Sequence, residues 1–341
     1  MLRHILALIV MASMPVALHA RDERAGRIDH HPDAPDTNPA DTLELIIQQH
    51  FTAIPLVKSK RGSYFVEAQI NGKHRWLCVD SGADGLILDH TIAREDGIAL
   101  RAGTTATGAD GGALPTSRGR LTSLTVGSNS FQQAIVTFTD LSNFAPLETA
   151  HGVMHPCAGL LGTAYFNALP VSVDFPNARI LVARKSIPGG LAGRMVQFGA
   201  LSAPMIEDKH GRHYLVTETL GRKALFLVDL GAVSCMLFEK AADMLKLETY
   251  DIEGTVTTLQ RKDRPRKGAS IRSLKLGDCR VQGNVEVMVL PETDIEDLEG
   301  TPVIGIMGCS VFEVFHATVD FKEDQIALKS EMLKRDHTSR E

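Results

Sequence analysis

Val79-Asp80-Ser81-Gly82-Ala83-Asp84 has a diverged copy, Val228-Asp229-Leu230-Gly231-Ala232, which follows it 149 residues later (229 − 80). In each copy an apolar run leads into an aspartate and then a Gly-Ala pair. Glycine permits turn conformations that residues with a Cβ disfavour. Such a turn after a strand places a carboxylate at the floor of a cleft. Two like charges about 3 Å apart do not both ionise easily, so two such turns predict a carboxyl pair that holds one proton.

Further landmarks recur in the same order behind the two aspartates. Leu124-Thr125-Val126-Gly127 and Leu274-Lys275-Leu276-Gly277 end 47 and 48 residues after them (127 − 80 and 277 − 229). Leu160-Leu161-Gly162 and Ile306-Met307-Gly308 end 82 and 79 residues after them. Each of these later glycines is followed four residues on by Phe and twelve on by Asp. Self-similarity at so long a period indicates two copies of one structural unit.

These motifs resemble those of the retropepsin-like aspartic peptidases, through Asp80-Ser81-Gly82-Ala83-Asp84, Leu88 and Leu160-Leu161-Gly162. Over roughly residues 55 to 330 the chain is similar to bacterial single-chain forms in which two retropepsin-like repeats are fused. The resemblance implies a mainly β fold of two pseudo-symmetric retropepsin-like β lobes, with few short helices and an active-site cleft between the lobes.

The resemblance also implies an aspartic endopeptidase, with Asp80 and Asp229 holding the water that attacks the peptide bond. The implied residues that support the catalytic loops are Ser81, Gly82, Ala83, Gly231 and Ala232. The implied substrate-binding residues are Asp84 and the glycines of a mobile flap, Gly108, Gly111 and Gly112. The partner is then a polypeptide, and no cofactor or metal is expected.

Leu230 departs from the family pattern, which usually has Thr or Ser at this position. The paired hydroxyls of the family brace the two loops against each other, and Leu cannot donate that hydrogen bond. The expected brace is therefore one-sided. This departure keeps a second hypothesis open, a non-catalytic peptide-binding module on a peptidase fold.

Local patterns predict strands and short helices around the two motifs. Alternation predicts a strand over Tyr64 to Ile70, Asn71-Gly72 predicts a hairpin turn, and Arg75 to Val79 predicts the returning strand. The second copy predicts strands over Tyr214 to Thr219 and Ala224 to Val228. Short helices are predicted near Thr42 to Phe51, His90 to Asp96 and Glu239 to Leu247, and after Gly162 and Gly308.

The N-terminus has the pattern of a secretory signal. Arg3 and His4 precede an apolar stretch from Ile5 to Leu18, with Ala20 at a plausible cleavage point. The stretch is shorter than the roughly 20 apolar residues of a membrane span. We expect export to the periplasm and no stable span once the signal is removed. The expected segments are a signal peptide (1–20), a polar lead-in with a short helix (21–54), the N-terminal lobe (55–187), an inter-lobe linker (188–204), the C-terminal lobe (205–330) and a tail (331–341).

Composition narrows the classes of function. A net charge of −5 and a pI of about 6.2 argue against a nucleic-acid-binding surface. The five cysteines form no Cys-x-x-Cys, and their odd number leaves at least one thiol unpaired. We expect mostly free, buried thiols, with a pair involving Cys279 left open. The 13 histidines show no metal-ligand spacing. Because one chain carries both aspartates, we expect a monomer.

Overall fold

The protein is mainly β, and its strands form two lobes joined by a shared sheet. The computed structural model describes residues 4–6, 39–108, 113–256, 264–290, 295–330 and 332–335. The elements of the first half are β1 (His4–Leu6), α1 (Pro39–His50), β2 (Phe51–Pro55), β3 (Val57–Lys58), β4 (Tyr64–Ile70), β5 (Lys73–Val79), β6 (Leu86–Asp89), α2 (His90–Glu95), β7 (Arg101–Gly108), β8 (Ala113–Arg120), β9 (Ser123–Val126), β10 (Asn129–Gln132), β11 (Ile135–Thr139), β12 (Leu147–Glu148), β13 (Met154–His155), β14 (Cys157–Leu161), α3 (Thr163–Ala168), β15 (Val171–Asp174) and β16 (Arg179–Ala183).

The second half repeats much of this order. Its elements are α4 (Gly190–Gln197), β17 (Leu201–Glu207), β18 (His213–Thr219), β19 (Arg222–Val228), β20 (Met236–Phe238), α5 (Glu239–Met244), β21 (Thr249–Val256), β22 (Arg264–Ile271), β23 (Leu274–Leu276), β24 (Cys279–Val281), β25 (Val285–Leu290), β26 (Glu296–Leu298), β27 (Thr301–Met307), α6 (Cys309–Val314), β28 (Thr318–Asp320), β29 (Gln325–Leu328) and β30 (Leu333–Arg335).

A tight hairpin delivers each aspartate to its loop. Strands β4 and β5 are joined by Asn71 and Gly72, whose φ angles are +50° and +80°. Strands β18 and β19 are joined by Leu220 and Gly221, at +50° and +76°. Two-residue hairpin loops favour positive φ at both positions, because that backbone twist matches the twist of the strands. The predicted hairpins are confirmed, and the equivalent turn of the second lobe carries Leu where the first has Asn.

The strand that ends in the apolar-apolar-Gly motif lies in the middle of each lobe. In the first lobe β14 runs parallel to β5 and antiparallel to β6. In the second lobe β27 runs parallel to β19 and antiparallel to β20. Each motif strand is thus paired with the strand that enters an aspartate loop and with the strand that leaves it. The two lobes share one topology, as the repeated landmarks predict.

A six-stranded antiparallel sheet, here called the interlobe sheet, joins the two lobes in the order β2, β16, β15, β28, β29, β17. The halves meet at its centre, where Ser172 lies opposite Asp320. Residues 188–204, expected as a linker, contain α4 and the start of β17. The reason is tertiary: Leu191 and Ala192 of α4 are buried, and both donate backbone hydrogen bonds to the Asp320 side chain.

The short helices form where the patterns predict them, with shifted ends. Helix α1 begins at Pro39 and ends at His50, whereas the sequence predicts Thr42 to Phe51. Phe51 instead begins β2, because it is buried and pairs with Ala183 of the interlobe sheet. All five cysteines are free thiols, four of them buried, so the expectation of free thiols is confirmed. Among the described residues no helix combines the length and the apolar character that crossing a membrane requires.

Candidate active site

Backbone hydrogen bonds from the central strand position each aspartate. The Asp80 N–H donates to the Leu161 carbonyl at 3.0 Å, and the Asp229 N–H donates to the Met307 carbonyl at 3.1 Å. In both lobes the acceptor is the residue directly before the glycine of the apolar-apolar-Gly motif, Gly162 or Gly308, here called the motif glycine. The apolar-apolar-Gly segments therefore lie under the aspartate loops.

A second hydrogen bond closes each loop from its far side. The N–H groups of Thr163 and Cys309, which follow the motif glycines, each donate at 2.9 Å to the carbonyls of Ala83 and Ala232. A side chain at Gly162 would place its Cβ 2.1 Å from a backbone oxygen, so only glycine allows this approach. Ala83 and Ala232 thus support the loops through their backbone.

The aspartate carboxyl groups are held by the backbone of their own loops. The Gly82 N–H donates to Asp80 Oδ1 at 3.1 Å, and the Gly231 N–H donates to Asp229 Oδ1 at 2.8 Å. The Ala232 N–H adds a bond to Asp229 Oδ1 at 3.2 Å. The loops also meet across the lobe interface, because a Cβ on Gly231 would lie 2.5 Å from Asp80 Cγ. Gly82 and Gly231 therefore donate N–H groups to the carboxyls, and the missing side chain of Gly231 leaves room for Asp80.

The other oxygen of each aspartate, Oδ2, is buried. Asp80 Oδ2 and Asp229 Oδ2 are buried, and none of the described residues donates a hydrogen bond to them. Two ionised carboxylates offer only acceptors, so a hydrogen bond between Asp80 and Asp229 would require a proton on one of them. Burial, and for Asp80 also the charge of Asp229, raises the pKa of both carboxyls. Both carboxyl groups are therefore easier to protonate here than in water.

Ser81 braces the two loops from one side. Its hydroxyl donates to the Val228 carbonyl at 2.7 Å and accepts from the Leu230 N–H at 3.1 Å. Leu230 is buried and has no hydroxyl to return these bonds. The Val79 carbonyl, the counterpart of Val228, accepts only a long bond of 3.7 Å from the Cys78 thiol among the side-chain bonds of the described residues. The geometry matches the one-sided brace that Leu230 predicts.

Asp84 lines a cavity of about 370 Å³ beside the first aspartate loop. The hairpin β7–β8 contributes Thr104, Thr116 and Arg118 to the cavity lining, and His210 reaches it from the second lobe. Gly108, at the end of β7, is buried and does not line this cavity. Gly111 and Gly112 lie outside the described residues.

Sequence reasoning missed the turn of the second lobe that reaches the cavity. This turn carries His210 and Arg212, and the Asn167 side chain of the first lobe donates to the Gly211 carbonyl at 3.1 Å. A repeated signal marks it, because Gly62 and Gly211 both lie 18 residues before an aspartate (80 − 62 and 229 − 211). Both glycines follow a lysine by two residues and have a positive φ, of +98° and +80°.

Arg212 of this turn forms an ion pair inside the second lobe. Its guanidinium lies 2.7 Å from the Asp208 carboxylate. Burial acts to lower the pKa of Arg212, but the interactions with Tyr214, Asp208 and Asp84 outweigh it and raise that pKa. Arg212 therefore stays charged.

Comparison with known proteins agrees with this geometry. The family model described as aspartyl protease matches residues 66–165 and 217–311, more than half of the chain. The chain belongs to the aspartyl protease family. Each matched region contains one aspartate loop and one motif glycine. A search of curated proteins finds no match to this chain.

Three solved structures are similar to this chain. A retropepsin-like aspartic protease from Rickettsia conorii is 18% identical, over 39% of this chain and 91% of that chain, with a TM-score of 0.29. Conglutin gamma, a basic 7S globulin from lupine seeds, is 9% identical, over 83% and 95%, with a TM-score of 0.45. Basic 7S globulin from soybean is 9% identical, over 83% and 95%, with a TM-score of 0.43.

Proposed function

We propose that this aspartyl protease is an endopeptidase that hydrolyses peptide bonds through a water held between Asp80 and Asp229. The observation that carries the proposal is a pair of buried carboxyl groups, one from each lobe, whose pKa values are raised and whose Oδ2 atoms accept no hydrogen bond from the described residues. The ionised member removes a proton from the water, whose oxygen attacks the peptide carbonyl carbon. The protonated member donates to the carbonyl oxygen. Proton transfer to the amide nitrogen then lets the C–N bond break.

The substrate binds in the cleft as an extended polypeptide in this proposal. Both aspartates are completely buried in this conformation, so the groups that cover the pair must move before a peptide can reach it. The hairpin β7–β8, which we propose as the flap, lines the cavity next to Asp84. Asp84 and the glycines of this hairpin are the proposed substrate contacts.

Substitution of each aspartate tests the proposal. Asp80→Asn and Asp229→Asn should each abolish cleavage of an unstructured protein, because either variant removes one half of the proton-sharing pair. Asp243→Asn, on the exposed side of α5, is the matched control and should cleave normally. Turnover by either active-site variant at the wild-type rate would exclude a shared-proton pair.

A non-catalytic peptide-binding module is the second candidate, favoured by the one-sided brace at Leu230 and by the complete burial of the pair. It predicts peptide binding without hydrolysis, and unchanged binding in Asp80→Asn. Hydrolysis that depends on both aspartates would exclude this candidate.

We also propose that the protein acts in the periplasm as a monomer. The support for export is the charged and then apolar N-terminal pattern, and the support for a monomer is that one chain carries both aspartates. Cell fractionation and light scattering of the purified protein test these two statements. Recovery in the cytoplasm or a stable dimer would contradict them.

A further inference from the structure

Three metal-ligating side chains meet at one corner of the second lobe. Glu207, His213 and Asp324 each offer one ligand atom, and these atoms all lie within 4.8 Å of one another. Glu207 of β17 lies opposite His213 of β18, and Asp324 lies in the turn between β28 and β29. His213 is buried, Asp324 is half-buried and Glu207 is exposed. The cluster therefore has a rigid inner side and an open outer side.

The inner pair approaches closely without a hydrogen bond. His213 Nε2 lies 3.1 Å from Asp324 Oδ1, yet this buried oxygen has no hydrogen-bond donor among the described residues. The His213 ring also hydrogen-bonds the Phe321 backbone and packs edge-on against the Phe321 ring, with centroids 5.0 Å apart. A histidine oriented by the backbone through one nitrogen is the usual arrangement of a metal ligand. At this distance His213 Nε2 and Asp324 Oδ1 can both be ligands of one ion.

The charges around His213 suit a cation. Asp208 is engaged by Arg212 at 2.7 Å, which leaves the carboxylates of Glu207 and Asp324 beside the ring. A cation would face one ring nitrogen and two carboxylate groups.

The first lobe shows that the fold does not require these ligands. The equivalent positions are Lys58, which pairs with Tyr64 across β3 and β4, and Ala178, whose φ of +46° matches the +49° of Asp324. The Ala178 carbonyl accepts from Leu56 at 2.8 Å, as the Asp324 carbonyl accepts from Met205 at 2.7 Å. Lys58, Tyr64 and Ala178, which cannot together bind a metal, thus hold the equivalent backbone positions of the first lobe.

Direct contacts fill the equivalent place in the first lobe. The Lys58 ammonium lies 2.6 Å from the Glu313 carboxylate, and the Tyr64 hydroxyl donates to it at 2.7 Å. Position 313 of α6 corresponds to Asn167 of α3, since both lie five residues after a motif glycine (313 − 308 and 167 − 162). The residue that corresponds to Glu313 is therefore an amide, Asn167, which donates to the Gly211 carbonyl at 3.1 Å.

We propose that Glu207, His213 and Asp324 bind a divalent transition-metal ion, with Zn²⁺ as its representative. Zinc accepts imidazole nitrogen and carboxylate oxygen at about 2.0–2.2 Å, so two tetrahedral ligands lie roughly 3.3 Å apart. The His213–Asp324 pair already has this spacing at 3.1 Å. Rotation of the exposed Glu207 side chain would bring its carboxylate to the same distance from the ion. The ion would link the β17–β18 hairpin to the β28–β29 turn.

Metal titration of the tag-free full chain tests the site. After treatment with EDTA and dialysis, we expect one Zn²⁺ per chain by elemental analysis and a rise in Tm on addition of ZnCl₂. Calcium prefers sites with oxygen ligands only, so CaCl₂ should give a much smaller shift. Glu207→Gln and Asp324→Asn should each weaken zinc binding by about 10-fold or more, and His213→Gln should remove it.

Glu323→Gln is the matched control, because it removes the same charge from the same turn without touching the cluster. This control should bind zinc as the wild type does. The two carboxylate variants alter partly exposed side chains, so their folding can be checked independently of the buried His213. Absence of stoichiometric zinc binding by the wild type, equal shifts from zinc and calcium, or unchanged affinity in the carboxylate variants would overturn the proposal.

Discussion

Leu230 occupies the position where the second loop lacks a bracing hydroxyl. Its side chain is buried, while its N–H donates to the Ser81 hydroxyl at 3.1 Å. By the pseudo-symmetry of the loops, a hydroxyl at this position would face the Val79 carbonyl, as Ser81 faces Val228. The residue therefore exchanges one cross-lobe hydrogen bond for apolar packing.

We predict that Leu230→Thr leaves turnover equal to or higher than that of the wild type. The introduced hydroxyl can complete the brace, which is worth about 0.5–1.5 kcal/mol, although lost apolar burial offsets this gain. Cleavage assays and urea unfolding at equal protein concentration measure both effects. A folded Leu230→Thr protein without any activity would show that the loop has adapted to Leu.

Removal of the opposite hydroxyl should be harmful. Ser81→Ala deprives two buried backbone groups, the Val228 carbonyl and the Leu230 N–H, of their partner. Each unsatisfied group costs about 1–3 kcal/mol, so we expect a loss of roughly 2 kcal/mol or more and a lower kcat. Urea unfolding and steady-state kinetics measure these losses. Unchanged stability would mean that the brace contributes nothing.

Asp80 should destabilise the folded chain at neutral pH. Its pKa is raised in the folded state by burial and by Asp229. Between the ordinary carboxyl pKa of about 3.9 and this raised value the folded chain binds more protons than the unfolded chain, so stability falls as pH rises through that window. We predict that Asp80→Asn raises the free energy of unfolding at pH 7 by about 1 kcal/mol or more, and raises it less at pH 4.

Urea unfolding at the two pH values measures this effect, with Asp243→Asn as the exposed control. The asparagine can keep the bond from the Gly82 N–H and can donate to Asp229, so the neutral side chain fits the site. An equal change at both pH values would contradict a raised pKa at Asp80.

At the scale of elements, Asp320 connects a helix, a turn and the interlobe sheet. Its Oδ2 accepts from the N–H groups of Leu191 and Ala192 at 2.9 and 3.2 Å, at the start of α4. Its Oδ1 accepts from Lys322 and Glu323 in the following turn. This buried carboxylate therefore explains why residues expected as a plain linker fold into a helix.

We predict that Asp320→Ala lowers the free energy of unfolding by about 2–3 kcal/mol, because it removes a helix cap and leaves buried N–H groups without an acceptor. Asp297→Ala is the control, since Asp297 is exposed and accepts one turn N–H at 2.7 Å. Urea unfolding should show a loss below about 1 kcal/mol for that control. Equal losses in the two variants would contradict a special role for Asp320.

At the scale of the whole molecule, the two lobes are held together by the sheet that they share. Strands β2, β16 and β15 come from the first half, and β28, β29 and β17 come from the second. The aspartate loops add contacts between the lobes through Ser81 and Gly231. Separation of the lobes would expose a central sheet edge and the buried carboxyl pair.

We therefore predict one cooperative unfolding transition for the whole chain. Circular dichroism and calorimetry should give coincident transitions, with equal calorimetric and van't Hoff enthalpies. Two resolved transitions would show that the lobes unfold independently and that the interlobe sheet does not couple them.

Much of the architecture follows from the sequence alone. The two aspartate motifs, the hairpin signal at Asn71-Gly72 and the matched spacing of the later glycines indicate two β lobes with the same topology. These features can be predicted from the sequence because they are local or periodic. Turns depend on the φ angles of a few residues, and strands depend on alternation over a few more. The departure at Leu230 likewise predicts a one-sided brace before any distance is known.

Which distant groups meet depends on the packing of the whole chain. That packing brings the buried Oδ2 atoms of Asp80 and Asp229 into one site, joins Ser81 to the opposite backbone, and places Asp320 at the start of α4. It also brings Glu207 and His213 to Asp324. These contacts join segments more than 100 residues apart. Their geometry depends on how whole sheets pack, and burial then sets the charge of each group, which no local pattern encodes.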